Sequence, residues 1–261
     1  MTFSAIVPVY NEGGTVTRVI QTLLDSGLIT EIICVNDGST DNSLEKLQEF
    51  GGKIKILNFS ANHGKGRAIA AGISRAGGDY LFFCDSDLLR FTKKHVENML
   101  TPIVQGKYKV VFGVPTQNKS GHYARHEVYL AGERVYPRAA LLPHVSRLSR
   151  SKGAGASEVF LNTLFSKKEI KVVPLYRLYK PLKARKWAPQ VALRQYLLSA
   201  VGILQEIGRI EIHSASDLRK LQNLVQVDTF EGLMEKVNAL KNGKMKSVLQ
   251  KYFLKYISKY L

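Results

Sequence analysis

The stretch FFCDSDLLRF, residues 82–91, runs from an apolar segment straight into two carboxylates one residue apart. An apolar run of this length, cut off by polar residues, reads as a buried β-strand. Asp85 and Asp87, at i and i+2 on a strand end, are expected to project from one face. Like charges placed so closely repel unless a cation or ligand relieves them. A divalent cation with oxygen ligands does so, and Mg2+ typically uses one or two carboxylates while phosphate oxygens fill other positions. The competing reading is a solvated Asp-Ser-Asp turn.

Working outward, the first ninety residues alternate between two periods. Strand-like runs cover Phe3–Val9, Glu31–Val35, Lys53–Phe59 and Asp79–Cys84. Between them, Val16, Val19, Ile20, Leu23 and Leu24 recur at helical spacing. A second helix holds Leu44 and Leu47, with Ser39 or Thr40 as its N-cap, and an Ala-rich helix spans His63–Ala76. This order predicts an α/β fold with a doubly wound, mainly parallel sheet. Ligands of such sheets bind where strands end at the carboxyl edge. The polar loops PVYNE, NDGSTD and DSD all fall there. Further on, helices are expected over Val96–Gln105, Val159–Phe165 and Gln190–Ile207, and strands over Tyr108–Val114 and Lys171–Tyr179.

Three more motifs occur in order, each after an apolar strand and before a helix: VPVYNEGGTV (7–16), VNDGSTDNS (35–43) and NHGKGRAIAAGI (62–73). With the DSD stretch they resemble family 2 nucleotide-sugar glycosyltransferases of the GT-A, Rossmann-like fold. The closest likeness is to polyprenyl-phosphate and dolichyl-phosphate sugar transferases. The resemblance is strong over residues 3–90, faint from there to about residue 210, and absent over 211–261. It implies that Pro8, Tyr10 and Glu12 line the base and ribose pocket, that Asp37 meets the base edge, and that Lys65 lies near the nucleotide. It implies that Asp85 and Asp87 hold Mg2+ or Mn2+ against the diphosphate of a UDP- or GDP-linked sugar. Two departures stand out: Asn36-Asp37 where the family often has two acids, and Leu88-Leu89 where the lipid-phosphate branch often has Leu-Gln.

The second half is expected to hold the acceptor. AGERVYPRAAL (131–141) resembles a family stretch in which Arg134 and Arg138 would clamp an acceptor phosphate, for which a planar guanidinium suits; the alternative is two surface arginines at a helix start. Glu158, in GASEVFLN, falls where the family often places a carboxylate and would serve as general base for a hydroxyl acceptor. As an alternative it is a first-turn Glu favoured by the helix dipole. A phosphate acceptor is already a nucleophile and requires no base. Lys180, Lys183, Arg185 and Lys186 form a basic loop suited to a membrane interface or a lid over the diphosphate.

Composition sets the outer limits. The chain of 261 residues has a hydrophobic fraction of 45%, enough for a full core. No apolar run is long enough to span a bilayer. Cys34 and Cys84 lie in apolar runs and read as buried free thiols, which with the absence of a basic leader points to the cytoplasm. The net charge of +17 is uneven: residues 1–90 carry 8 basic and 10 acidic side chains, and 91–261 carry 30 basic and 11 acidic. An excess confined to one part of the chain suggests an anionic partner there. The expected domains are 1–210, with a nucleotide-sugar half at 1–115 and an acceptor half at 116–210, and a basic helical tail at 211–261. In that tail, Asp228 and Glu231 suggest a capping box. Residues 244–261 combine an apolar stripe with a lysine face, which fits docking on the domain or peripheral contact with the inner membrane face.

The resulting expectation is a metal-dependent inverting glycosyltransferase acting on a polyprenyl phosphate. One rival keeps the fold but uses a glycan hydroxyl or small soluble acceptor, with Glu158 as base. Another is a basic module binding anionic lipid or nucleic acid. Nucleic acid is disfavoured because aromatic residues are not interleaved with the basic clusters of 119–152. GKGRAIAAG lacks both P-loop and dinucleotide spacing.

Overall fold

The computed structural model describes residues 1–116, 131–151, 155–181, 199, 202–203, 206, 230–241 and 243–256. The chain divides into two compact units, one formed by Met1–Arg150 with Leu164–Pro181, the other by Ser151–Thr163 with Leu182–Leu261.

The first unit holds a seven-stranded sheet. Its strands are β1 (Phe3–Val9), β2 (Glu31–Asp37), β3 (Lys55–Phe59), β4 (Tyr80–Phe83), β5 (Val110–Thr116), β6 (Glu133–Pro137) and β7 (Ile170–Tyr176), in the order β3-β2-β1-β4-β6-β5-β7. Strands β1 to β4 pair in parallel, with Ile6 opposite Ile33 on one side and Phe83 on the other. β5 and β7 are also parallel, while β6 runs antiparallel between β4 and β5. The mainly parallel α/β sheet is therefore as expected, and β6 is the element the sequence did not announce.

β1 and β2 are buried along nearly their whole length, as strands must be when helices cover both faces. Helix α1 (Val16–Asp25) buries Val16, Val19, Ile20 and Leu23, a single stripe at helical spacing. Helix α2 spans Ser43–Gln48, with Asn42 at its N-cap instead of Ser39 or Thr40. Those two are otherwise engaged: the Ser39 hydroxyl accepts from the Asn11 N–H, and the Thr40 N–H donates to Asn11 Oδ1. Helix α3 (Lys65–Arg75) presents Gly66, Ala68, Ala70 and Gly72 as buried small residues, so it lies close on the sheet. A Cβ on Gly72 would stand 2.5 Å from Ile6 Cγ2.

Helix α4 (Lys93–Val104) starts earlier than expected, because Thr92 and His95 form a reciprocal capping box. The short helices α5 (Arg138–Leu141) and α6 (Val145–Leu148) follow β6.

In the second unit, α7 (Ala156–Leu161) is buried throughout. The helices α8 (Phe230–Asn238) and α9 (Gly243–Tyr256) pack together, with the Lys246 ammonium donating to the Asn238 carbonyl and the Gln250 amide to Asn238 Oδ1. Val237, Leu240 and Leu249 are buried. Part of the tail's apolar stripe thus faces protein. The rest of that stripe past Tyr256, most of the expected helix at 190–207, and Asp228 lie outside the described residues. Among the described residues no helix is long and apolar enough to cross a membrane, and Cys34 and Cys84 are buried free thiols.

The contact between α3 and β1 makes a direct prediction. Gly72→Ala gains helix propensity of about 1 kcal/mol but drives a methyl into Ile6, and overpacking of this kind costs about 1–3 kcal/mol. Net destabilisation is expected by urea denaturation, whereas Gly77→Ala, where an added Cβ meets nothing within 4 Å, should be close to neutral. Equal behaviour of the two variants would refute the close packing.

Candidate active site at the carboxyl edge of the sheet

The carboxyl ends of β1, β2 and β4, the start of α3, the end of β7 and the beginning of the antiparallel β6 all meet at one edge of the sheet. Three non-glycine residues with positive φ lie at or near this edge: Asn11 at 54°, Arg90 at 60° and Arg177 at 63°. Such conformations cost free energy and cluster at functional sites.

Asp85 and Asp87 follow β4 in a turn and are not part of the strand. Their convergence therefore does not come from strand pleat, as the sequence suggested. It comes from how the turn is tied down. The Ser86 hydroxyl donates to the Pro8 carbonyl at 2.8 Å, fixing the turn to the end of β1. Leu89 and Tyr179 exchange two backbone hydrogen bonds, at 2.8 and 3.0 Å, fixing it to the segment after β7.

Two ammonium groups meet the acids. Lys65 Nζ lies 2.8 Å from Asp85 Oδ1. Lys180 Nζ contacts Asp85 Oδ2 and lies 4.0 Å from Asp87 Oδ1. Burial alone would raise the Asp85 pKa, but Lys180 and Lys65 outweigh it and hold this carboxyl well below the usual carboxylate range. For Lys180 the balance is the same in mirror image: burial lowers its pKa, and Asp85, Asp87 and Glu133 raise it further.

Glu133 is a third carboxyl at the edge, and the sequence reading passed over it. It opens β6, is 1% exposed, and among the described residues neither of its oxygens has a hydrogen-bond partner. Burial pushes its pKa up to about 7; Asp85 and Asp87 add to the rise, while Lys180 and Lys65 oppose it. The signal available was Gly132-Glu133-Arg134, adjoining opposite charges that open an apolar run behind a glycine. A glycine there marks close approach, and a Cβ on Gly132 would stand 2.1 Å from Asp85 Oδ2.

The residues expected to line the base and ribose pocket sit on the adjoining loops. Pro8 is near the end of β1, with Tyr10 and Glu12 just beyond it. This loop is laced to the loop after β2: the Glu12 N–H donates to Ser43 Oγ and the Gly13 N–H to Asp41 Oδ2, while the Thr15 hydroxyl donates to Glu12 Oε2. Asp37 ends β2, 3% exposed, and its two oxygens accept the N–H groups of His63 and Gly64 at 2.8 Å each. It thereby anchors the loop that delivers Lys65.

The two arginines are not brought together. Arg134 is fully buried within β6: its Nε donates to the Ala131 carbonyl, its Nη1 donates to the Tyr136 hydroxyl, and its guanidinium stacks 4.3 Å over Phe112. Arg138 begins α5, and its N–H donates to the Asp79 carbonyl, at the opposite edge of the sheet. Because β6 runs antiparallel to β4, the four residue steps from one to the other separate the arginines by roughly 13 Å. The expected single phosphate clamp is corrected accordingly. Glu158 lies in the second unit, buried, and accepts a hydrogen bond from Ser157 Oγ at 2.8 Å. Of the basic loop only Lys180 is described; Lys183, Arg185 and Lys186 lie outside the described residues.

The acid pair fits a divalent cation on two counts visible here: both carboxylates address one position, the one taken by the Lys180 ammonium, and both offer hard oxygen donors. Among the described residues there is no group of three or more His, Cys, Asp or Glu side chains arranged to hold a metal.

Comparison with known proteins bears on the family and the fold. The family model "Glycosyl transferase family 2" matches residues 4–168. An uncharacterised glycosyltransferase of Synechocystis is 39% identical over 92 residues, 33% of this chain and 29% of that protein. The undecaprenyl-phosphate 4-deoxy-4-formamido-L-arabinose transferase of Pseudomonas aeruginosa is 28% identical over 130 residues, 47% of this chain and 38% of its own length. The matched stretch thus spans about a third of these curated relatives. Among solved structures, glucosyl-3-phosphoglycerate synthase from Mycobacterium tuberculosis, in complex with Mn2+, UDP and glucosyl-3-phosphoglycerate, superposes with a TM-score of 0.63 at 19% identity, covering 82% of this chain and 81% of that one. Mannosyl-3-phosphoglycerate synthase from Rubrobacter xylanophilus gives 0.64 at 18%, covering 82% and 77%. These likenesses establish the GT-A type of fold.

The anchoring of the Lys65 loop is open to test at Gly38, where φ is +68° and a Cβ would stand 2.3 Å from the Ala61 carbonyl carbon. Gly38→Ala is expected to cost at least 1–3 kcal/mol of stability and to speed amide exchange at 61–64. Wild-type exchange rates in a folded Gly38→Ala variant would contradict the packing.

Proposed function

The chain belongs to glycosyl transferase family 2, and from that premise we propose that it is a metal-dependent, inverting glycosyltransferase that moves a sugar from a nucleoside diphosphate donor to a polyprenyl phosphate. The observation that carries the reading is the meeting of Asp85, Asp87, Lys65 and Lys180 at the carboxyl edge of a doubly wound sheet, where such folds take their ligands. Pro8, Tyr10, Glu12 and Asp37 on the neighbouring loops would form the nucleotide pocket, with Asp37 acting at least by holding the 61–64 loop.

Asp85 and Asp87 would hold Mg2+ or Mn2+, which supplies neutralisation of the charge that grows on the departing diphosphate. Lys65 and Lys180 serve the same end from the protein side: preorganised positive charge facing developing negative charge lowers the barrier without reorganisation during the reaction. In the transfer, an acceptor phosphate oxygen forms a bond to the anomeric carbon as the bond from that carbon to the diphosphate breaks. The electron pair leaves with the nucleoside diphosphate, and attack from the opposite face inverts the centre. An ionised phosphate needs no proton removed, so this reading assigns no base role to Glu158.

The polyprenyl phosphate is supported by the names of two relatives, the arabinose transferase above and the dodecaprenyl-phosphate galacturonate synthase of Rhizobium johnstonii, each 28% identical over 130 residues. The basic second half and the lysine-rich α9 suit peripheral contact with an anionic membrane surface. Neither Arg134 nor Arg138 is kept as the acceptor clamp.

The test is transfer from a panel of UDP- and GDP-sugars with Mn2+, offering undecaprenyl phosphate and 3-phosphoglycerate as acceptors. Transfer to the lipid phosphate is expected. Asp87→Ala should lower it by at least about a hundredfold with the melting temperature little changed, and EDTA should abolish it. Transfer to phosphoglycerate alone would overturn the acceptor, and full activity in EDTA would overturn the metal.

A further inference from the structure

Lys180 is placed with unusual care for a lysine in a basic loop. β7 ends at Tyr176, whose carbonyl is 2.8 Å from His95 Nε2. The chain then reverses through Arg177 at positive φ, and the Arg177 N–H donates to the Thr116 carbonyl at 2.9 Å. Two residues on, Tyr179 pairs with Leu89 through both backbone hydrogen bonds. Lys180 therefore springs from a segment fastened to the same turn that carries Asp85 and Asp87, and its ammonium reaches both acids.

Charge decides what this implies. Among the described residues, Asp85 and Asp87 face Lys65 and Lys180, two acids against two ammonium groups, with the buried Glu133 beside them, so these four charges already balance one another. A divalent ion entering alone brings two uncompensated positive charges and must also eject Lys180 from the position it would take. An ion entering with a nucleoside diphosphate brings its own counter-charge, and the diphosphate offers the displaced ammonium a new anionic partner.

We propose that Lys180 is a resident cation of the Asp85–Asp87 pair, which a divalent ion displaces readily only when a diphosphate is present to receive the ammonium. Metal and nucleotide then bind interdependently, and each strengthens the other by one factor, as linkage requires. Lys180 acts here as a positioning residue that keeps the site closed to metal alone. The inference rests on the metal-and-diphosphate reading of this site.

The experiment titrates Mn2+ into the full chain, with and without UDP, following free Mn2+ by electron paramagnetic resonance. Wild type should bind Mn2+ weakly alone and at least tenfold more tightly with UDP. Lys180→Met removes the competing charge, so it should bind Mn2+ alone at least tenfold more tightly than wild type, since a site freed from an occluded state recovers the affinity that state had cost. In the same variant the enhancement by UDP should shrink. Lys180→Met binding Mn2+ alone no better than wild type, while wild type with UDP binds it well, overturns this inference and leaves the metal reading standing. No Mn2+ binding in either protein, with or without UDP, overturns both.

Discussion

Mutual repulsion among acids at the edge of the sheet is the constraint around which the rest of the first unit is arranged. Asp85, Asp87 and Glu133 are crowded where little water reaches Asp85 and Glu133, and carboxylates in such surroundings stay ionised only beside positive charge. The chain supplies that charge from two distant places, the start of α3 and the segment after β7. Each lysine needs its own scaffold. Asp37 pins the loop before Lys65, and the Leu89–Tyr179 bridge pins the strand end before Lys180. Where the ammonium groups do not suffice, burial and the neighbouring aspartates push the Glu133 pKa up to about 7.

The antiparallel β6 makes this crowding possible. Inserted between β4 and β5, it brings its first residue, rather than its last, to the carboxyl edge. Glu133 and the glycine ahead of it arrive beside Asp85, and only a glycine leaves room there. The same reversal carries Arg138 to the far edge. Arg134, between them, is spent on the Ala131 carbonyl, the Tyr136 hydroxyl and the Phe112 ring, contacts that shape the turn into β6.

What the sequence disclosed and what it hid follow from the range of the interactions involved. The first four strands were legible because each is a buried apolar run closed by a polar loop, a local signal. Asp85 and Asp87 were legible as a pair for the same reason, although the turn, tied by Ser86 to Pro8, does what the strand pleat was expected to do. β6 was not legible, since Glu133 and Arg134 look like surface residues until long-range pairing, of Glu133 with Gly113 and of Arg134 with Phe83 and Phe112, buries them. Lys180 showed only as part of a basic loop, because its partners are some 95 residues away in the chain. Ser39 and Thr40 were misassigned as a helix cap for a related reason: their hydrogen bonds go to Asn11, a neighbour created by parallel pairing of β1 with β2.

The central claim is that the two aspartates after β4 are a cation seat facing a diphosphate. Crystals of the chain grown with Mn2+ and UDP test it most directly, through the anomalous signal of manganese. The account predicts a peak between the Asp85 and Asp87 carboxylates, shared with the diphosphate oxygens, with the Lys180 ammonium moved off Asp85. A manganese peak elsewhere, with Lys180 still bridging the acids and UDP bound, would contradict it.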